Sequence, residues 1–268
     1  MIIYINGDSF TAGDGLGDHA IFPTFPGTLG LGDNPRTWAS WRDTLLTTDK
    51  ELADLSIAEN KKRSWAAQLA NHTTATIINN AVGGSSMFGI YSRTVSDITS
   101  LIKNNIVPDV VLIGLTSDER VSFINRNPMP DNNRFWVHVV VPACINHVGT
   151  THRKYAKSFW ESHSDEELLT LFLYTCFNIK TYVNSVINKD PIFINTSHRL
   201  EMYEKIVNES NIFLLKELWE LLRFDTVAMH PSIQHMNGTR PILPCGHVEA
   251  SVHVEFAKYI YENILNKV

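Results

Sequence analysis

The sequence predicts a three-layer α/β/α fold around a central parallel sheet, on three observations. Four short runs, residues 2–6, 76–79, 110–114 and 192–195, have the length and apolar composition of strands. The run Val110-Val111-Leu112-Ile113-Gly114 has no polar side chain, as expected of a strand covered on both faces. Segments with helical spacing separate the runs, and strands alternating with helices build a parallel sheet with helices on both sides.

In chain order, Ile2–Asn6 is the first strand and runs into Gly7-Asp8-Ser9-Phe10-Thr11-Ala12-Gly13. Residues 14–63 read as a long irregular excursion, rich in glycine and proline at its start, and loops of that length are usually functional or poorly ordered. Within it Trp38, Trp41 and Arg42 either cover a substrate cleft or anchor the loop on the body, packing being the commoner role of buried aromatics. Ser64 is an N-cap candidate for a helix carrying Trp65, Ala66 and Leu69 to about His72. A strand at 76–79, a turn at 81–86 and a helix at 87–104 follow, the helix placing Ile90, Val95, Ile98, Leu101 and Ile102 on or near one face. Pro108-Asp109 ends it before strand 110–114. Residues 117–150 are mixed, about 150–188 form one or two helices, and Pro191 precedes the fourth strand. Helices are expected at 200–222 and 249–266, with loop at 225–246. The whole chain, residues 1–268, reads as a single domain.

The composition is that of an ordinary globular protein, and a chain of 268 residues buries enough surface to need no disulfide staples. The formal net charge of −5 argues against nucleic acid as the main ligand, since phosphate recognition needs a basic stripe. The one dense basic run, Lys61-Lys62-Arg63, reads as solvated surface. Three widely spaced cysteines, Cys144, Cys176 and Cys245, suit a reducing compartment. There is neither a signal-peptide pattern nor an apolar run of about 18 residues, so the expected location is cytoplasmic, with no membrane span.

The chemistry-bearing segments follow the strands. A strand ending in a glycine turn that presents a serine at the start of a helix raises a nucleophile above a sheet, where helix N–H groups can meet a developing oxyanion. Here that serine is Ser9. After the second strand comes Asn79-Asn80-Ala81-Val82-Gly83-Gly84, and after the third Gly114-Leu115-Thr116-Ser117-Asp118-Glu119-Arg120. Near the end stands Pro244-Cys245-Gly246-His247-Val248-Glu249-Ala250-Ser251-Val252-His253, leading into the last helix.

In order and position these four segments resemble the conserved blocks of the SGNH/GDSL hydrolase superfamily, and the resemblance spans the chain. It implies a flavodoxin-like fold of the SGNH hydrolase type and an esterase using no cofactor and no metal. Ser9 is then the nucleophile and His247 the general base, with the Ser9 N–H, the Gly84 N–H (Gly83 being a near alternative) and Thr116 facing the oxyanion. Asp8, Gly83, Ser117, Arg120 and His253 become candidate substrate-site residues. The implied substrate is a small-molecule or carbohydrate ester, O-acetyl groups on carbohydrate among them. The forms Gly-x-Thr-Ser-x-x-Arg and Gly-His-x₅-His-x₃-Ala look most like divergent bacteriophage-type members, for which a host cytoplasm or a virion is also a fitting location.

Two departures matter. Thr116 stands where the family has an asparagine, replacing an amide donor with a rotatable hydroxyl. Pro244 stands where the family has the aspartate that orients the histidine, leaving a Ser–His dyad or an acid from elsewhere, Asp225 and Glu249 being candidates. These losses also fit a silenced binding or structural protein on the same fold, and the same serine chemistry with a hydroxyl acceptor would make an acyltransferase. Arg120 reads either as a receptor for an anionic substrate group or as a salt-bridge partner of Asp118 or Glu119. His253 reads as a satisfied helix histidine or a catalytic one. Cys245, His247, His253, His230 and His235 fit no standard zinc spacing.

Overall fold

The computed structural model describes residues 1–13, 16, 48–124, 137–140, 150–195, 200–222 and 250–267. Its central sheet has four parallel strands, β1 (Ile2–Asn6), β2 (Thr76–Asn79), β3 (Val110–Gly114) and β6 (Ile192–Ile194), in the order β2-β1-β3-β6. This is the flavodoxin-like order, in which the direction of strand addition reverses between β1 and β3, and ligands in such sheets bind beyond the strand C-termini at that reversal. Helices cover both faces, so the expected α/β/α architecture is observed.

Alternation along the strands divides the core in two. Tyr4, Val111 and Ile113 face one helical layer, made of α4 (Met87–Lys103), α6 (Asp165–Ile187), α7 (Leu200–Glu209) and α8 (Phe213–Leu222). Ile3, Ile5, Val110 and Leu112 face the other, where Trp65 and Leu69 meet Phe256, Ala257 and Ile260. That second layer consists of α3 (Trp65–Gln68) with a short 3₁₀ turn after it, and α9 (Ala250–Asn263). Helix starts follow local capping chemistry: Ser64 caps α3 and Ser86 caps α4. Ser164 and Glu167 form a reciprocal capping box on α6.

The excursion expected over 14–63 is corrected at its end, because Lys50–Arg63 is a regular helix, α2, capped by Asp49. Its buried stripe is Ala53, Ser56 and Asn60, small or polar residues that give no apolar period in the sequence. Lys61, Lys62 and Arg63 occupy its last turn, where cations complement the helix dipole. The rest of the excursion, with Trp38, Trp41 and Arg42, lies outside the described residues, as do Cys144 and Cys245. Residues 200–222 form two helices, and the Ser210 hydroxyl accepts from Ile212 N–H (3.0 Å) at the break. Within 117–150 the strands β4 (Val121–Ile124) and β5 (Val137–Val140) pair antiparallel. They lead to α5 (Thr150–Ser162). Among the described residues no helix is long and apolar enough to cross a membrane.

The strand ends are shaped by a wedge. The four-residue helix α1 (Ser9–Ala12) sets Thr11 against the ends of β1 and β3, and a Cβ on either Gly7 or Gly114 would collide with the Thr11 side chain. These glycines provide room for close approach. Gly114→Ala is expected to cost about 1–3 kcal/mol by overpacking. Thr11→Ala in the same chain should return most of that loss, as read by urea unfolding of the single and double variants.

Burial fixes the alkaline behaviour of the core. Desolvation holds the Cys176 thiol well above its ordinary range, and desolvation followed by the Asp97 charge does the same for the Tyr4 hydroxyl. Unfolded, these groups release protons near about 8.5 and about 10 respectively. Above those values the unfolded chain binds fewer protons than the native one, so stability falls as pH rises. The urea midpoint should decline from pH 8.5 to 11, and less steeply in Cys176→Ala and Tyr4→Phe.

Candidate active site

Ser9 is the first residue of α1 and is half-buried. Parallel pairing sets Asn6 opposite Ile113, so Ser9 and Thr116 each follow a paired residue by three positions. Asp8 is the N-cap, its Oδ1 accepting from Phe10 N–H at 3.1 Å. Asn6, fully buried, ties the end of β1 to α4 by donating to Ile90 O (3.0 Å) and Thr94 Oγ1 (2.9 Å). Its Oδ1 accepts from Gly7 N–H (2.8 Å) and from Arg93 Nε (3.3 Å).

The loop after β2 is held by Asn79 and Asn80. Asn79 Oδ1 accepts from Ala81 N–H (3.1 Å), and Asn80 Nδ2 donates to Asp97 (2.9 Å), which also takes the Tyr4 hydroxyl (3.0 Å). Val82 N–H donates to Gly7 O (3.3 Å), joining this loop to the residue before Asp8. Gly84 follows with φ +73°, a left-handed conformation that favours glycine, and is exposed. Its N–H has no hydrogen-bond partner among the described residues. Gly83 precedes it, half-buried.

Thr116 leaves β3 with 1% of its surface exposed, and its buried Oγ1 has no partner among the described residues. Ser117 closes a turn, its Oγ accepting from Glu119 N–H (3.3 Å). Asp118 accepts from the Tyr203 hydroxyl (2.8 Å). Arg120 donates through Nη1 to Ser85 O (2.9 Å), while its Nη2 lies 3.7 Å from Asp8 Oδ2. The ion pair expected with Asp118 or Glu119 is therefore made with Asp8, which places Arg120 across all three loops. Arg93 completes the clamp by donating to Ser85 Oγ (2.5 Å). Sequence reading missed Asn6, Ser85 and Arg93. The available signal was a cation placed among the apolar-face residues of α4, beside Ile90, Thr94 and Ile98.

His253, 1% exposed on α9, accepts from Trp65 N–H through Nδ1 at 3.0 Å. Its ring stacks on Phe10, next to Ser9, with centroids 4.6 Å apart. An accepting Nδ1 places the ring proton on Nε2. These two contacts are those of a satisfied helix histidine, and they brace α1 from the second layer. His247, Asp225, Glu249, Cys245, His230 and His235 lie outside the described residues. Among the described residues no group of three or more His, Cys, Asp or Glu side chains could hold a metal ion.

Ser9, Gly84 and Thr116 thus stand on the segments that follow three adjacent strands, β1, β2 and β3. A serine hydroxyl, a backbone N–H and a buried hydroxyl in such a place can serve acyl transfer. His253→Leu should cost about 1–3 kcal/mol, because Trp65 N–H loses its acceptor in the interior. His253→Asn, whose amide oxygen can accept, should lose less, and chemical denaturation of the two variants checks the order.

No protein-family model matches the chain, and no curated protein does. Eleven chains of solved structures match. One comes from work describing a carbohydrate esterase whose active site displays divergent catalytic and non-catalytic binding functions. It is 16% identical with a TM-score of 0.47, over 98% of this chain and 67% of that one. A second is LAE5, an α/β hydrolase enzyme from the metagenome of Lake Arreo, Spain, 11% identical with a TM-score of 0.47, over 97% and 93% of the two chains. A third is a carbohydrate esterase family 2 enzyme with a carbohydrate-binding domain from Corynascus thermopiles (Myceliophthora fergusii). It is 11% identical with a TM-score of 0.45, over 98% of this chain and 66% of that one. Identity this low transfers no activity to this chain.

Proposed function

We propose that the protein is a serine hydrolase of carboxylic esters, with Ser9 as nucleophile and His247 as general base. The observation that carries the reading is Thr116: a hydroxyl buried just past β3, without a partner among the described residues, three positions after Ile113 as Ser9 is three positions after the paired Asn6. In the reaction Ser9 Oγ forms a bond to the acyl carbon and its proton passes to His247. The Ser9 N–H, Gly84 N–H and Thr116 hydroxyl meet the oxyanion. The carbon–oxygen bond to the alcohol breaks as His247 returns the proton to the leaving oxygen. Water then attacks the acyl-serine with His247 again as base, releasing the acid and restoring Ser9.

Intact-mass analysis after fluorophosphonate treatment tests the assignment. One adduct on the wild type, none on Ser9→Ala and slow labelling of His247→Ala is the expected result. An unlabelled wild type would overturn it in favour of a binding protein on the same fold. Ester turnover should fall as pH drops through roughly 6–7, where an ordinary imidazole takes its proton. A profile flat to pH 4 would remove His247 from the role.

Thr116→Val separates chemistry from structure. Replacing a buried, unpartnered hydroxyl by a methyl of the same shape should leave the urea midpoint unchanged or raised. Loss of an oxyanion donor should lower kcat by about 10²–10³ with little change in KM. Equal kcat in the two proteins would exclude Thr116 from the oxyanion site.

A further inference from the structure

The turn that carries Gly84 is tied at three points to the residues just before Ser9. Val82 N–H donates to Gly7 O (3.3 Å). Arg93 of α4 bridges Ser85 Oγ (2.5 Å) to Asn6 Oδ1 (3.3 Å). Arg120, from the segment after β3, donates through Nη1 to Ser85 O (2.9 Å) and holds Nη2 3.7 Å from Asp8 Oδ2. Its Nε is buried without a partner among the described residues, so the two terminal nitrogens make these contacts. Asn6, Gly7 and Asp8 are consecutive, and Asp8 is also the N-cap of α1, whose first residue is Ser9.

Ser85 N–H and Ser85 Oγ both donate to Val82 O, at 3.3 and 2.6 Å, which closes a four-residue turn with Gly83 and Gly84 at its centre. Gly84 has φ +73° and Gly83 does not take a positive φ, the pattern of a type II turn. The Gly84 N–H belongs to the central peptide of that turn and is not engaged by the turn's own hydrogen bonds. Packing does not press on it, since Gly84 is exposed and a Cβ there would meet no atom within 4 Å. Two adjacent glycines leave the backbone many conformations, so the place of the turn depends on its ends. Arginine donates and never accepts. Ser85 Oγ therefore accepts from Arg93 and sends its own proton to Val82 O, and one bond orients the other.

We propose that Arg93 and Arg120 are positioning residues for the Gly84 N–H: by pinning Ser85 to Asn6 and Asp8, they set where that donor stands relative to Ser9. The proposal rests on the reading of Ser9 as nucleophile and of the Gly84 N–H as an oxyanion donor. Both arginines act through Ser85, and neither meets the reacting atoms. A shift of about 1 Å in a group that serves the reacting centre can cost about 10²-fold in rate. The loss falls on kcat, because the donor meets a charge that is present in the transition state and absent from the bound ester. Removing Arg93 leaves Asn6 Oδ1 bonded to Gly7 N–H and Ser85 Oγ bonded to Val82 O, so neither partner is stranded.

The test combines p-nitrophenyl acetate kinetics with amide NMR of glycine-labelled protein. Arg93→Met and Arg120→Met should each lower kcat about 10- to 100-fold, with KM changed less than about threefold. Arg93→Lys keeps a cationic donor and should recover part of the loss, and it stands in should Arg93→Met not fold. Ser85→Ala combined with Arg93→Met should be no slower than the slower single variant, because both break one link. Arg93→Met made on Gly84→Ala should cost less than about twofold, since alanine disfavours a positive φ and the donor is already displaced. On Thr116→Val, which removes a separate donor, the two losses should multiply. In the spectra the Gly84 amide should shift or broaden in both methionine variants while that of Gly114 stays in place. Arginine variants that match the wild type, or that lose through KM alone, would overturn the positioning role and leave the esterase reading standing. So would a kcat loss undiminished on Gly84→Ala. A wild type without turnover or a fluorophosphonate adduct would sink the esterase reading. The Gly84 amide would then decide alone: movement in the variants keeps the arginines as what places the turn, and an unmoved resonance removes them from that role as well.

Discussion

The parallel pairing of β1 with β3 is the constraint on which the site depends. With Asn6 opposite Ile113, the ends of the two strands bring Gly7 and Gly114 against the same side chain, Thr11. The register is held by both cores at once. Tyr4 and Val111 face one helical layer while Ile3, Ile5 and Leu112 face the other. A slip of one residue would turn every one of these side chains to the wrong layer. Hydrophobic burial, the largest favourable contribution to folding, therefore sets the relative height of Ser9 and Thr116. The loops need only finish the arrangement.

They finish it with a polar clamp. Burying polar groups is costly unless they are paired, and here each is paired across a different loop. Asn6 joins β1 to α4, Arg93 joins Asn6 to Ser85, and Arg120 joins Ser85 to Asp8. A set of this kind specifies one geometry, because losing any member strands its neighbours in the interior. On the other side, His253 holds the first N–H of α3 and the ring of Phe10. α1 is thus braced from both helical layers, and a side chain carried on so short a helix depends on such bracing for its position.

The sheet was legible in the sequence because its strands are nearly pure apolar runs, and a run such as Val110–Gly114 has few alternatives to a strand covered on both faces. Helix α4 was legible from the spacing of Ile90, Ile98 and Leu101. α2 was not, since its buried stripe of Ala53, Ser56 and Asn60 leaves no apolar period. The split between α7 and α8 was hidden for the opposite reason: apolar residues continue on both sides of a break made by one serine hydroxyl. That Ser9, Gly84 and Thr116 each follow a strand end was legible in the sequence, while their roles belong to the proposal. The partners of Arg120 and His253 could not. Asp8 precedes Arg120 by more than a hundred residues and Trp65 precedes His253 by 188, so only the closed fold brings them together. The same distance explains why Asp118 and Glu119, the neighbours of Arg120 in sequence, looked like its partners and are not.

Thr116 bears on whether the proposed site works, because it stands where the resembled family has an asparagine. A hydroxyl kept 1% exposed without a partner among the described residues carries a desolvation cost of about 1–3 kcal/mol. Valine has the same shape and would avoid it. Thr11, Ser56 and Trp65 also carry buried polar atoms without a partner among the described residues, and at Thr11 the close approach of two glycines accounts for the side chain's place. Under the proposed reading, a hydroxyl without a partner among the described residues turns toward a charge that exists only during reaction. Gly84 meets the same description on the neighbouring loop, with a left-handed backbone and an N–H unused among the described residues. Gly84 and Thr116 stand on the loops after β2 and β3, the two strands that flank β1, and under the proposed esterase reading both donors are available to a negative charge that develops only during reaction.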